Sequence, residues 1–137
     1  MDAAKAAHVP DAPLHDLYKV NWAYCLKYGW DADKGGFYGN GLPGQPAGKR
    51  QKTWWVQAEV LVSSLKMYKL TGEPVYRDVF QKTWGFVERE LIDWKVGAWH
   101  AEVSPDGRPR GDKAQIWKAG YHDGRALVEC LRELRAI

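Results

Sequence analysis

The chain has 137 residues, of which 45% are hydrophobic and 27% charged, and its formal net charge is +3. This length predicts one domain with a single hydrophobic core, and the mixing of basic with acidic residues argues against a nucleic-acid partner. The chain has no apolar stretch long enough to cross a membrane and no signal sequence, so we predict a cytoplasmic protein without a membrane partner.

The first third of the chain combines an irregular segment, a helix and a long loop. Residues 1–13 contain prolines and show no periodicity, which predicts a flexible arm before a single helical domain over 14–137. Apolar side chains at helical spacing predict a first amphipathic helix over 13–28. Residues 30–52 are rich in glycine and proline, and we predict a loop with at most two short extended pieces around Phe37 and Tyr38.

The middle of the chain carries the strongest helical pattern. Apolar side chains cover most of the circumference of a helix predicted over 53–70, which indicates burial on more than one side. Gly72 stands just past its end, and Pro74 stands in the first turn of the next helix. We therefore predict an antiparallel hairpin with a third helix over 74–92, whose opposite face is charged.

The last part of the chain combines a hairpin with a helix. Residues 99–103 alternate between apolar and polar, and 104–107 supply a turn, which predicts a short β-hairpin. A loop over 111–118 leads to a helix over 119–134. Its inward-facing residues are predicted to be Ala126, Leu127, Cys130, Leu131 and Leu134. The elements together predict a mainly α protein of about four helices with short β-hairpin insertions.

No cofactor or metal motif is visible in the sequence. Cys25 and Cys130 lie far apart without the spacing of a zinc site, so we predict two small buried side chains. The Asp31–Asp33 loop is not a calcium loop, because Leu42 stands where a bidentate glutamate is needed. We expect a turn held by an Asp side chain there, no metal and no cofactor.

Aromatic side chains are unusually frequent, with eight Trp and seven Tyr. They either fill the core or stack on the apolar faces of sugars. Trp55 and Glu59 are four residues apart and share one face of the second helix. They are either a partly buried tryptophan with a solvent-exposed glutamate, or a stacking platform beside a carboxylate that binds sugar hydroxyls or orients an acid–base group.

His122 is the candidate acid–base residue, because it lies in the first turn of the last helix with Arg125 beside it. The helix N-terminus and the arginine both favour a neutral imidazole, which is the form that can act as a base. The alternative is a histidine that only caps the helix. His100, two residues before Glu102 on the predicted hairpin, can point into the same space as a substrate-binding residue.

Several segments together resemble one protein family in order and spacing. They are Gly29–Asp31, Gly35–Tyr38, Trp54–Glu59, Leu91–Asp93, Gly97–His100, Pro105–Gly107 and Trp117–Arg125. This ordered set resembles the N-acylglucosamine 2-epimerase family of sugar epimerases and isomerases. The resemblance covers nearly the whole chain, yet it corresponds to only the C-terminal third of a family member.

The resemblance implies a part of an (α/α)6 barrel that opens a sugar ring and moves a proton at C2. In this family two histidines on opposite sides of the substrate carry the proton. His122 matches the C-terminal catalytic histidine, Trp55 and Glu59 match the stacking tryptophan and the substrate-facing glutamate, and Arg125 matches a residue near the site. Asp123 stands where the family usually has asparagine, and a carboxylate there would favour the protonated form of His122.

The resemblance also implies that part of the site is missing. The second catalytic histidine, its His-x-x-Glu partner and an N-terminal arginine belong to helices that this chain does not contain. Faces bearing Trp54, Trp55, Val56 and Val60 would then be exposed, which predicts a homo-oligomer in which copies cover each other. Three functions stay open: C2 epimerisation or aldose–ketose isomerisation, a non-catalytic sugar-binding or assembly module, and an inactive remnant.

Overall fold

The computed structural model describes residues 6–10 and 12–137. Its four α-helices confirm the predicted class, with bounds within two residues of the prediction except at the C-terminal end of the third helix. These helices are α1 Ala12–Gly29, α2 Trp54–Thr71, α3 Pro74–Phe86 and α4 Tyr121–Leu134. The third helix was predicted to continue to residue 92, but it changes to a π-helical turn over Val87–Leu91. The predicted arm falls in part on residues 1–5 and 11, which lie outside the described residues.

Helix α2 is the centre of the fold and packs against both α3 and α4. Its side chains Ala58, Leu61 and Leu65 are almost completely buried, as the broad apolar pattern predicts. Gly72 ends α2 in a left-handed conformation, its N–H donating to the Tyr68 carbonyl, and Pro74 opens α3. The hairpin between α2 and α3 is therefore as predicted.

A small antiparallel sheet lies beside the N-terminal end of α2. Its strands are β1 Lys52–Thr53, β2 Glu102–Val103 and β3 Pro109–Arg110, in the order β1-β2-β3. Strands β2 and β3 form the predicted hairpin, whereas the pairing of β1 with β2 was not predicted. This pairing joins the chain entering α2 to the hairpin, with Lys52 opposite Val103.

The glycine-rich loop before β1 is fixed by buried polar contacts. Asp31 accepts backbone N–H groups of Asp33 and Lys34, which confirms the predicted turn. Its other oxygen lies 2.8 Å from Lys52 Nζ, in a buried ion pair. Burial alone would raise the pKa of the Asp31 carboxyl, but the hydrogen bond and charge of Lys52 hold it at about 2. Burial lowers the pKa of the Lys52 ammonium, and the hydrogen bond and charge of Asp31 oppose this shift.

A second anchor of this loop is Gln57, which is fully buried on α2. Its side-chain amide exchanges two hydrogen bonds of 2.8 Å with the backbone of Phe37. Gly36 has φ +81°, and a Cβ there would lie 2.7 Å from Gln57 Oε1. Glycine is therefore required at this position both for its backbone conformation and for the close approach of the loop to α2.

Three burial predictions are wrong. Cys25 is exposed, because none of the residues of α1 is buried in this structure, whereas Cys130 is buried as predicted. On α4 only Ala126 and Cys130 are buried among the five predicted residues, because α2 contacts one narrow stripe. Leu127, Leu131 and Leu134 are exposed. Trp54 was predicted on the open face, but it is buried in the core.

None of the helices in the described ranges is long and apolar enough to span a membrane.

Candidate functional site

The candidate site forms where the N-terminal parts of α2 and α4 meet. Glu59 and His122, which are 63 residues apart in the sequence, come into direct contact because α4 packs along α2. His122 Nδ1 lies 2.8 Å from Glu59 Oε1. Arg125 Nη2 donates to the same oxygen. One carboxylate therefore binds the two side chains that the first turn of α4 directs towards α2.

The electrostatics of this group favour an ionised Glu59. Partial burial alone would raise the pKa of Glu59, but hydrogen bonds from Arg125 and His122 outweigh it and leave the pKa lowered. The same hydrogen bond raises the pKa of Arg125. Glu59 is therefore an anion at neutral pH, and it can accept a hydrogen bond from a protonated Nδ1 of His122.

A carboxylate at Nδ1 determines what the other ring nitrogen of His122 can do. When Nδ1–H donates to Glu59, Nε2 of the neutral imidazole carries the lone pair. Nε2 has no hydrogen-bond partner in the described part of the chain, and the His122 side chain is 32% exposed. In this tautomer, the exposed Nε2 of His122 can accept a proton from a molecule bound at this surface.

Trp55 lies beside this base. Its ring centroid is 6.1 Å from that of His122, and 44% of the residue is exposed. Tyr121 covers another edge of the imidazole at 5.1 Å. The neighbouring Trp54 is buried instead. The two adjacent tryptophans thus have different environments, and only Trp55 is free to stack on a ligand.

A pocket of about 410 Å³ lies next to the group and shares Trp55 with it. Helix α1, the loop over 37–47 and α2 form its mostly apolar wall, through residues that include Tyr24, Tyr28 and Val60. His122 and Glu59 do not line this pocket. His122 and Glu59 therefore lie on an open surface at the border of the pocket, not inside an enclosed cavity.

The surface around the pair is apolar as well as open. We call Trp55, Tyr121, His122 and Glu59 the open site face. Tyr121 is 67% exposed, and Trp117, in the loop before α4, is 78% exposed. Large aromatic side chains exposed together are typical of a surface that contacts a ligand or another protein surface.

His100 is the one predicted site residue that is not in contact with this group in the described residues. Its Nε2 lies 3.9 Å from Asp93 Oδ2, and its side chain is 22% exposed. Lys113 donates to the same Asp93 oxygen. The structure thus brings together Trp55, Glu59, His122 and Arg125, and places His100 in a separate cluster on the loop after the π-helical turn.

Two charged residues near the site are buried, which was not expected from the sequence. Asp123, considered as a carboxylate acting on His122, is buried with its Oδ2 3.6 Å from Lys118 Nζ. Lys118 is only 2% exposed. Lysine is rarely buried, and nothing in the local pattern distinguishes Lys118 from a surface residue. In the described ranges no three His, Cys, Asp or Glu side chains lie close enough to hold a metal ion.

Four helices of the described residues, arranged as part of an (α/α)6 barrel, carry a histidine–glutamate pair and an exposed tryptophan near the helix ends, and these features define the structural class. The family model for N-acylglucosamine 2-epimerase (GlcNAc 2-epimerase) matches residues 16–126, and the chain belongs to this family.

Individual relatives agree with this assignment. The chain is 31% identical over 85 residues to a cellobiose 2-epimerase of Ruminococcus albus, covering 60% of this chain and 22% of the relative. It is 29% identical over 121 residues to a D-mannose isomerase of Marinomonas mediterranea, covering 86% and 31%. A crystal structure of a D-mannose isomerase superimposes with a TM-score of 0.72 at 29% identity, covering 78% of this chain and 28% of the other. The chain thus spans less than a third of the length of these relatives.

The different burial of the adjacent tryptophans gives a stability prediction. Trp54→Ala removes a core side chain, and we expect it to lower the free energy of unfolding by about 3–5 kcal/mol. Trp55→Ala removes a half-exposed side chain, and we expect a loss of about 1 kcal/mol or less. Urea unfolding followed by circular dichroism measures both. Equal losses of unfolding free energy in the two variants would indicate that Trp55 is a core residue and would contradict its assignment as a side chain free to stack on a ligand.

Proposed function

We propose that this chain supplies one wall of a sugar site in which His122 moves a proton at C2, for 2-epimerisation or for aldose–ketose isomerisation. The observation that carries the proposal is the 2.8 Å contact between His122 Nδ1 and Glu59 Oε1. A carboxylate in this position fixes the tautomer and orientation of the ring, as in other acid–base histidines. Relatives named cellobiose 2-epimerase and D-mannose isomerase support sugar chemistry of this kind.

The chemistry follows from the free nitrogen. In the open-chain aldose, Nε2 of His122 takes the proton from C2. The electron pair of the C–H bond forms the C1=C2 double bond, and the carbonyl pair moves to O1, which gives an enediolate. Return of that proton to C1, with a proton shift from the C2 hydroxyl to O1, gives the ketose, and one base on one face is sufficient. Return to the opposite face of C2 gives the epimer and requires a second proton donor.

Substrate binding is assigned to the neighbours of His122. Trp55 is placed to stack on the apolar face of a sugar ring. Glu59 can accept sugar hydroxyls at Oε2, which has no hydrogen-bond partner in the described part of the chain. Arg125 fixes Glu59 and lies at the edge of the same group. His100 stays a prediction as a substrate-binding residue, reached only if a ligand extends over the loop that carries Asp93.

Deuterium incorporation at C2, followed by NMR in D2O, tests the catalytic step. We expect exchange with at least one sugar among N-acetylglucosamine, N-acetylmannosamine, glucose, mannose, fructose and cellobiose. Exchange requires the base, so His122→Ala should reduce the rate by about 100-fold or more. His15→Ala, on α1, is the matched control and should leave the rate unchanged. Exchange that survives in His122→Ala, or that is absent with every sugar, contradicts the catalytic proposal.

The alternative is a sugar-binding or assembly module without catalysis, or an inactive remnant of the family. Its support is the openness of the site, since enzymes of this kind exclude water from the reacting carbon. Direct titration with the same sugars separates these functions from catalysis. Binding that is weakened by Trp55→Ala, together with no C2 exchange, supports the binding module; no binding at all supports the remnant.

We also propose that copies of this chain associate through the open site face. Tyr121, whose ring contacts His122, and Trp117, in the loop that leads into α4, are mostly exposed. A second apolar surface would bury them and exclude water from His122. The expected result in multi-angle light scattering at micromolar concentration is a mass of two or more copies. Trp117→Ser should shift the population towards the monomer, whereas Trp94→Ser, on an exposed tryptophan of the loop after the π-helical turn, should not. A monodisperse wild-type monomer would contradict this proposal.

A further inference from the structure

A buried lysine next to the site is used by no step proposed above. Lys118 lies in the loop before α4 and is among the largest fully buried side chains of the described residues. Its Nζ donates to the carbonyl of Lys113 at 3.0 Å and lies 5.6 Å from the ring centroid of Trp54. Its charged partner is Asp123, at 3.6 Å, with side-chain exposures of 1% for Lys118 and 11% for Asp123.

The burial of this pair requires an explanation, because taking two charges out of water is unfavourable unless each compensates the other. Lys118 and Asp123 are five residues apart and lie on either side of Gly120, where the backbone turns into α4 with φ +73°. The contact therefore fixes the start of α4 on its buried side. His122 is the residue immediately before Asp123, so its backbone is held in place by the same pair.

The other end of this loop is also held by polar contacts. The carbonyl of Lys113 accepts the hydrogen bond from Lys118, and the ammonium group of Lys113 donates a hydrogen bond to Asp93. Asp93 in turn accepts the backbone N–H groups of Lys95 and Val96. A continuous set of polar contacts thus joins the loop after the π-helical turn to the first turn of α4.

We propose that Lys118 is a positioning residue for His122: it neutralises the adjacent Asp123 and fixes the first turn of α4, so that Glu59 is the carboxylate that acts on the imidazole. This inference rests on the proposed function, because it assigns Lys118 to the same acid–base residue. It also explains how the chain can carry Asp123 beside His122 without a second negative charge acting on the ring.

The charged groups around His122 make the proposal measurable. Glu59 faces the ring from α2, Arg125 faces the same carboxylate from α4, and Asp123 follows on the chain with Lys118 against it. Trp55 and Tyr121 add uncharged rings. If Lys118 and Asp123 cancel, removing either charge alone changes the pH at which the imidazole titrates, and removing both does not.

The experiment is an NMR titration of the His122 ring signals in the full chain, which needs no sugar. Lys118→Met exposes His122 to an unpaired carboxylate, and we expect the titration midpoint to rise by about one pH unit. Asp123→Asn leaves the lysine unpaired and should lower the midpoint. The double variant Lys118→Met/Asp123→Asn should return to within about 0.3 units of wild type, because the pair is then replaced by two neutral side chains.

The control is Lys69→Met, which removes a half-exposed lysine paired with Glu133 at the far end of α2 and should not move the midpoint. An unchanged midpoint in Lys118→Met, or a double variant that differs from wild type by a full unit, overturns the proposal. If Lys118→Met does not fold, Asp123→Asn decides together with the double variant, and an unchanged midpoint in Asp123→Asn overturns the proposal. Because the readout is the imidazole itself, failure of this cycle is distinguishable from absence of C2 exchange.

Discussion

The carboxylate of Glu59 is the interaction on which the rest of the site depends. It joins α2 to α4 through a single oxygen that accepts from both His122 and Arg125. The pKa of Glu59 is lowered because those two hydrogen bonds outweigh its burial, so the anion that they require is present at neutral pH. Without it, the histidine would lie at a helix end with nothing to select its tautomer, and the guanidinium would lose its partner.

The loops and helix ends around Glu59 are held by buried polar pairs as well as by apolar packing. Lys52 with Asp31 fixes the glycine-rich loop, and Lys118 with Asp123 fixes the entrance of α4. Gln57 binds the backbone of the same loop. Such groups are unfavourable to bury unless every charge and donor is matched, so they restrict the loops to one arrangement. The core side chains of α2 supply the stability, and these pairs determine where the loops lie.

Much of the fold and of the site follows from local periodicity. Helical spacing predicts the four helices, and the i to i+4 relation of Trp55 to Glu59 predicts that they share a face. The direct contact of Glu59 with His122 was not predicted, although a carboxylate that orients an acid–base group was one of the alternatives for Glu59. The strand β1 and the burial of Lys118 could not be predicted, because both depend on segments distant in the sequence. The same reason applies to Leu131, which local pattern places inside but which has no helix to cover it in this structure.

The most direct test of this account is the protonation of the His122 ring nitrogens, observed by NMR with 15N-labelled protein above the titration midpoint. The account predicts a proton on Nδ1 and none on Nε2 in the wild type. In Glu59→Met, which removes the acceptor, the Nε2–H tautomer should become populated, whereas Glu133→Met, at the far end of α4, should leave the ring unchanged. A wild-type ring protonated at Nε2, or a tautomer that is the same in Glu59→Met, would contradict the claim that Glu59 orients His122 as a base.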